Sequence, residues 1–141
     1  MKIIIKAFFL LLFLLFCINP SMADVLSFKV HPANGNGWVD TGLNESVIKN
    51  FTRPNKGNEY ITITFNKEGA QKLKEVTTAN VGKQMAVFFF DNIIMTPKIT
   101  EPILSDGISV TFGNSSTLDE IETALLNVGV KKKATVEELL I

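Results

Sequence analysis

Tyr60-Ile61-Thr62-Ile63-Thr64-Phe65-Asn66-Lys67-Glu68-Gly69-Ala70 changes its hydrophobic period partway along. Ile61, Ile63 and Phe65 alternate with Tyr60, Thr62 and Thr64, the pattern of a strand with one buried face. Asn66 follows, a residue type that caps helix starts through its side-chain oxygen. Ala70, Leu73, Val76 and Thr77 then recur at helical spacing with lysine and glutamate between them. Asn80 and Gly82 supply the stop. A half-buried strand running straight into an amphipathic helix is the start of an α+β domain.

Downstream, Met85 to Phe90 is a continuous apolar strand, Asp91-Asn92 a two-residue turn, and Ile93 to Ile99 the returning strand. Pro97 suits an edge or a bulge, because it cannot donate to a ladder. After a connection from Glu101 to Gly107, Ile108, Val110 and Phe112 alternate with Ser109 and Thr111. Thr117-Leu118-Asp119-Glu120 has the form of a capping box, with Leu118, Ile121, Leu125 and Val128 as the buried stripe of a second helix. Gly129 is a good residue just past its end. Lys131 to Lys133 read as a solvated helix end that suits the negative pole of the dipole. Val136 to Ile141 fits either a strand or a helical turn. The order from Tyr60 is strand, helix, strand, strand, strand, helix. It predicts a two-layer α+β fold, a mostly antiparallel sheet with both helices on one face.

Upstream, Val25 to Val30 reads as a strand and His31 to Gly37 as a turn rich in residues that accept positive φ. Trp38-Val39 is expected to return as a short strand, Glu45 to Phe51 to form one or two helical turns, and Arg53 to Asn58 to be a loop. Residues 24–58 are thus read as an extension packed on a domain spanning 59–141.

Residues 1–23 carry the three parts of a secretory signal. Lys2 and Lys6 are the basic end, Ala7 to Ile18 an apolar run, and Ser21-Met22-Ala23 the small-residue cleavage site. A membrane span needs about 20 apolar residues, which Lys6 and Pro20 deny. Cys17 follows the bulky Phe16, which argues against a lipidated cysteine. Cleavage after Ala23 would leave 118 of the 141 residues, one domain with one core. It would remove the sole cysteine, so stability outside the cytoplasm would rest on burial without disulfides. It would also leave 12 basic and 14 acidic residues, a net charge of −2, which argues against nucleic acid. The expectation is a periplasmic or secreted protein without a membrane span.

Several ordered motifs resemble the head part of the first periplasmic domain in the SecD/SecDF family. They are Asn66-Lys67-Glu68-Gly69-Ala70 after the alternating strand, then Thr77, then Asn80-Val81-Gly82-Lys83. Met85 to Asp91-Asn92, Met95-Thr96-Pro97-Lys98-Ile99, Ile103 to Gly107 and, more loosely, Gly113 to Ala124 follow in the same order. Asn92 stands where that family has a turn glycine, and the alanine before the proline is absent. The resemblance implies an export-related module without the family's membrane helices, and so without its proton-coupled step. It also implies structural roles for Gly69, Asn80, Gly82, Asp91, Pro97, Gly107 and Gly113.

No catalytic constellation is legible. His31 is the sole histidine, which leaves no basis for a catalytic triad or a multi-histidine metal site. Asp119, Glu120 and Glu122 read as helix-entry charges, Glu137-Glu138 as a solvated pair, and Asn34 to Gly37 as a hairpin. The chain is expected to be non-enzymatic and to use no cofactor or metal. The candidate partner-binding residues are those facing away from the helices: Thr62, Thr64, Ser109 and Thr111, with Thr96 and, from the Phe88-Phe89-Phe90 run, Phe89. The competing reading is that residues 24–58 cover that face. The expected partners are unfolded exported polypeptides or components of the Sec translocon. The alternative is an envelope protein that reuses the fold for an unrelated partner.

Overall fold

A computed structural model describes residues 24–32, 35–54, 60–111 and 115–134. The elements are β1 (Leu26–Val30), β2 (Val39–Asn44), a 3-10 turn (Glu45–Val47), β3 (Ile48–Thr52), β4 (Tyr60–Phe65), α1 (Lys67–Ala79), β5 (Met85–Phe89), β6 (Asn92–Met95), β7 (Gly107–Thr111), α2 (Ser115–Asn127) and β8 (Lys131–Lys132). From Tyr60 the strand, helix, strand, strand, strand, helix order holds, and the protein is α+β. Its strands divide into two four-stranded sheets, β2-β1-β5-β6 and β7-β4-β3-β8. All pairings are antiparallel except β3 with β8.

Residues 60–70 behave as their pattern dictates. Ile61, Ile63 and Phe65 are buried, while Tyr60, Thr62 and Thr64 are half-buried. Asn66 Oδ1 accepts from Gly69 N–H at 2.8 Å and caps α1. Gly69 has no room for a side chain, since a Cβ there would lie 2.8 Å from the Val47 carbonyl oxygen and 2.9 Å from Phe65 Cβ. Asn80 closes the helix, its side chain donating to the Val76 carbonyl at 2.7 Å, and Gly82 follows at φ +89°. Buried Thr77 donates to Leu73 O at 2.7 Å and accepts from Ile103 N–H at 2.9 Å, which ties the connection before β7 to α1.

A single core joins both sheets and both helices. Leu26, Phe28, Val87 and Phe89 come from one sheet, Phe51, Ile61, Ile63 and Phe65 from the other. Phe28 and Phe65 meet edge to face at 5.7 Å. Leu73 enters from α1, and Leu118, Ile121 and Leu125 from α2. Segment 24–58 supplies an inner strand to each sheet: β1 lies between β2 and β5, and β3 between β4 and β8.

Five local expectations give way. The segment Glu45–Phe51 is a 3-10 turn followed by β3, not a longer helix. Ile48 pairs with Phe65 and Asn50 with Thr64, so the register shifts at this point. That bulge spaces buried Ile48 and Phe51 three apart, which imitates a helical period. The β5–β6 turn is Phe90-Asp91, because Phe89 already pairs with Asn92. Phe90 rather than a glycine or asparagine takes the positive φ, +53°. Helix α2 starts at Ser115, so Thr117 lies inside it and is no N-cap. At the other end Gly129 N–H donates to Leu126 O and Val130 N–H to Leu125 O, the paired bonds of a Schellman motif. Val130 is buried against the core by that turn and Val128 is left 51% exposed. Lys131 and Lys132 form β8 rather than a helix end.

Candidate functional site

Strand β4 is central to the second sheet, and its partners on both sides put polar residues on the same outer face. Thr62 lies opposite Ser109 of β7 and Thr52 of β3, and Thr64 opposite Gly107 and Asn50. Thr62 Oγ1 and Ser109 Oγ are 3.2 Å apart, a cross-strand hydroxyl pair. Tyr60 opposite Thr111 extends the row. Ser109 and Thr111 are exposed and Thr62 and Thr64 half-buried. Strand β3 widens this face from the side.

The structure therefore brings together Thr62, Thr64, Ser109 and Thr111, but not Phe89 or Thr96. Phe89 is only 8% exposed and belongs to the core of the other sheet. Side-chain alternation puts Phe88 on the opposite face of that sheet, where it is also buried, with Trp38 edge-on at 6.2 Å and Lys29 Nζ 4.6 Å from the ring centre. Thr96 is exposed just past β6 of that same sheet. Among the structural positions, Gly107 lets β7 approach β4 closely, since a Cβ would lie 2.7 Å from Ile63 O. The Pro97 carbonyl accepts from Met85 N–H at 2.9 Å. Asp91 is in the exposed turn. Gly113, Phe112, the signal segment and Val136–Ile141 with Glu137-Glu138 lie outside the described residues.

Several charged groups elsewhere have structural partners. Glu122 accepts from Arg53 at 2.9 Å and from Lys132 at 2.8 Å, and Asp119 pairs with the same arginine. Partial burial works to raise the Glu122 pKa, but hydrogen bonds from Lys132 and Arg53 outweigh it and hold the carboxyl below its ordinary value. Glu45 receives Val25 N–H at 3.1 Å and Leu26 N–H at 3.3 Å, fastening the start of β1. His31 stacks on Trp38 at 3.9 Å and its Nδ1 donates to Gly37 O at 2.9 Å. Among the described residues, no three His, Cys, Asp or Glu side chains gather as metal ligands, and no helix is long and apolar enough to cross a membrane. Phe90, 43% exposed, stands with Asn92 at a shallow groove of about 560 Å³ shared with Asp119 and Thr123 of α2.

Sequence reasoning did not find the Glu45 hook or the Arg53–Glu122–Lys132 network. The Glu45 hook reaches back 20 positions to Val25 and Arg53 reaches 69 positions on to Glu122, and no local pattern announces such pairings.

A capped helix behind a bulged antiparallel ladder, with a polar outer sheet face, defines a small α+β head module. Residues 41–126 match the family described as SecDF, P1 head subdomain. The chain belongs to that family. It is 30% identical over 73 residues to the protein translocase subunit SecD of Acidaminococcus fermentans, covering 52% of this chain and 18% of that protein. With the SecDF subunit of Thermus thermophilus it shares 35% identity over 81 residues, 57% of this chain and 10% of that protein. The chain thus spans less than a fifth of these relatives. Two solved structures share the fold. One, described as a membrane component SecDF that enhances protein export, superposes with TM-score 0.62 at 18% identity over 74% of this chain and 62% of its own. The other, SecDF in a super-membrane-facing form, gives 0.60 at 20% identity over 73% of this chain and 18% of its own.

Proposed function

We propose that the protein is a non-enzymatic binding module on the outer side of the cytoplasmic membrane, contacting exported polypeptides in an unfolded state. The observation that carries this reading is the outer face of the β7-β4-β3-β8 sheet, where Thr62, Thr64, Ser109 and Thr111 offer hydroxyls without charge. Hydroxyls donate and accept, so they suit main-chain amides of any sequence. Family membership supplies the export context. The test compares a reduced and alkylated polypeptide, unable to refold, with its native disulfide-bonded form. Amide shifts at Thr62, Thr64, Ser109 and Thr111 are expected with the unfolded form alone. Equal responses to both forms, or to neither, would remove the proposal.

A second reading, an envelope protein bound to an unrelated partner, is favoured by one feature. Phe90 occupies a positive-φ turn position and remains 43% exposed, an apolar group kept outside at a conformational cost. Gene deletion separates the two readings. A general export defect supports the first, and normal export with another envelope phenotype supports the second.

A further inference from the structure

Among the described residues, two sheets leave four edge strands, β2 and β6 in one and β7 and β8 in the other. Three of these carry devices that discourage pairing with a further strand. Opposite β1, β2 is bulged and carries Asp40. A register shift interrupts β6, and Pro97 follows two residues past its end. Only two residues long, β8 consists of Lys131 and Lys132. By contrast β7, Gly107-Ile108-Ser109-Val110-Thr111, has no charge, no proline and five consecutive regular pairs with β4.

The phase of the ladder tells which of its main-chain groups face outward. Phe65 N–H donates to Asp106 O at 2.7 Å, one step beyond the Thr64–Gly107 pair and in the same register. In an antiparallel ladder hydrogen-bonded pairs alternate with non-bonded ones. Ile108 and Val110 therefore spend both amide and carbonyl on Ile63 and Ile61. Gly107, Ser109 and Thr111 turn theirs away from β4. The outward Gly107 carbonyl is taken by Ser105 Oγ at 3.1 Å, in agreement with this phase. Ser109 and Thr111 are exposed, and their amides and carbonyls make no further main-chain bond among the described residues.

We propose that the β7 edge captures an extended polypeptide segment by strand addition, using the main-chain amides and carbonyls of Ser109 and Thr111. This rests on the polypeptide-binding reading above and names the edge that performs it. An added strand would continue the sheet, with alternate side chains beside Ile108 and Val110 on the core side and beside the threonine row on the other. Recognition by backbone groups without a charged side chain is tolerant of sequence. Four such hydrogen bonds of ordinary net strength correspond to a dissociation constant on the order of 1 mM. That is too weak to hold a second copy of the chain in a stable dimer and suits brief capture of a moving chain.

The probe is a lysine-flanked peptide of alternating valine and threonine, titrated to several millimolar against the isotope-labelled protein. A control peptide carries N-methyl groups on alternate residues, which removes its donors along one edge. Hydrogen exchange at Ser109 and Thr111 is expected to slow at least fivefold with the first peptide and to stay unchanged with the second. Ser109→Pro removes an outward donor but no β4 bond, and should weaken binding at least tenfold. The exchange measurement on the natural protein stands even where Ser109→Pro does not fold. Perturbation elsewhere with Ser109 and Thr111 unchanged would overturn the edge assignment and leave polypeptide binding intact. No response to the peptide or to an unfolded polypeptide would overturn both. Concentration-dependent protection without peptide would assign the edge to a second copy and overturn the proposal.

Discussion

At the scale of single residues, two positions carry the clearest conformational stakes. Gly69 sits where a Cβ would press on the Val47 carbonyl and on Phe65, backbone and core together. Neither neighbour is a flexible side-chain end, so Gly69→Ala is expected to destabilise by about 1–3 kcal/mol, read as a lower urea midpoint with an unchanged slope. Phe90 is the reverse case. Its φ of +53° costs an L-residue about 1–2 kcal/mol, part of which glycine returns through a more flexible unfolded chain. Phe90→Gly should therefore raise stability by roughly 0.5 kcal/mol, seen as a small rise in Tm; a fall would mean that the Phe89–Phe90 ring contact at 4.8 Å outweighs the backbone term. Gly69 was legible as a structural glycine beside the Asn66 cap. Phe90 was not, because the preferred turn residue, Asn92, lay two places further on and attracted the turn assignment.

At the scale of elements, ties across the chain decide how pieces sit together. Thr77 belongs to α1, yet its hydroxyl is the acceptor for Ile103 N–H. Thr77→Val keeps the shape and strands that amide, an expected loss of about 1–3 kcal/mol, with faster hydrogen exchange at Ile103 as the local readout. Glu122 links α2 to Arg53 and to β8. Its folded pKa is depressed below the ordinary value of about 4.5. The stabilisation is therefore present above that pH and is lost as pH falls through the folded value. Glu122→Gln should lower the urea midpoint at pH 7, and its difference from the natural protein should shrink as pH falls below about 4.5; a difference that did not change with pH would show that charge is not its source. The helix α1 and strands β4 and β5 were legible because each repeats one period without interruption. Strand β3 was not, since its bulge turned a two-residue spacing into three.

For the whole molecule, the two sheets share one core through Phe28 and Phe65. Phe28→Ala should cost about 3–5 kcal/mol and move a single transition rather than split it, as measured by coincident near- and far-ultraviolet circular dichroism melts. Because β1 and β3 are inner strands, a chain beginning at residue 59 would lose the centre of one sheet and a flank of the other. No cooperative urea transition is expected from it. A sharp transition would restore the view of residues 24–58 as a covering extension.

The amino-acid order by itself determined the α+β class, the strand-to-helix passage at Phe65-Asn66, the family motifs and the threonine face of β4 and β7. Each is written in local period or in cap chemistry, where near neighbours along the chain are also near neighbours in space. Tertiary structure alone decided that the strands form two sheets, that Phe89 joins the shared core while Phe88 is buried on the other face of its sheet beside Trp38 and Lys29, and that β7 is the unguarded edge. Those outcomes depend on which strands lie side by side, and pairing across long loops is settled by shared burial that no local period records.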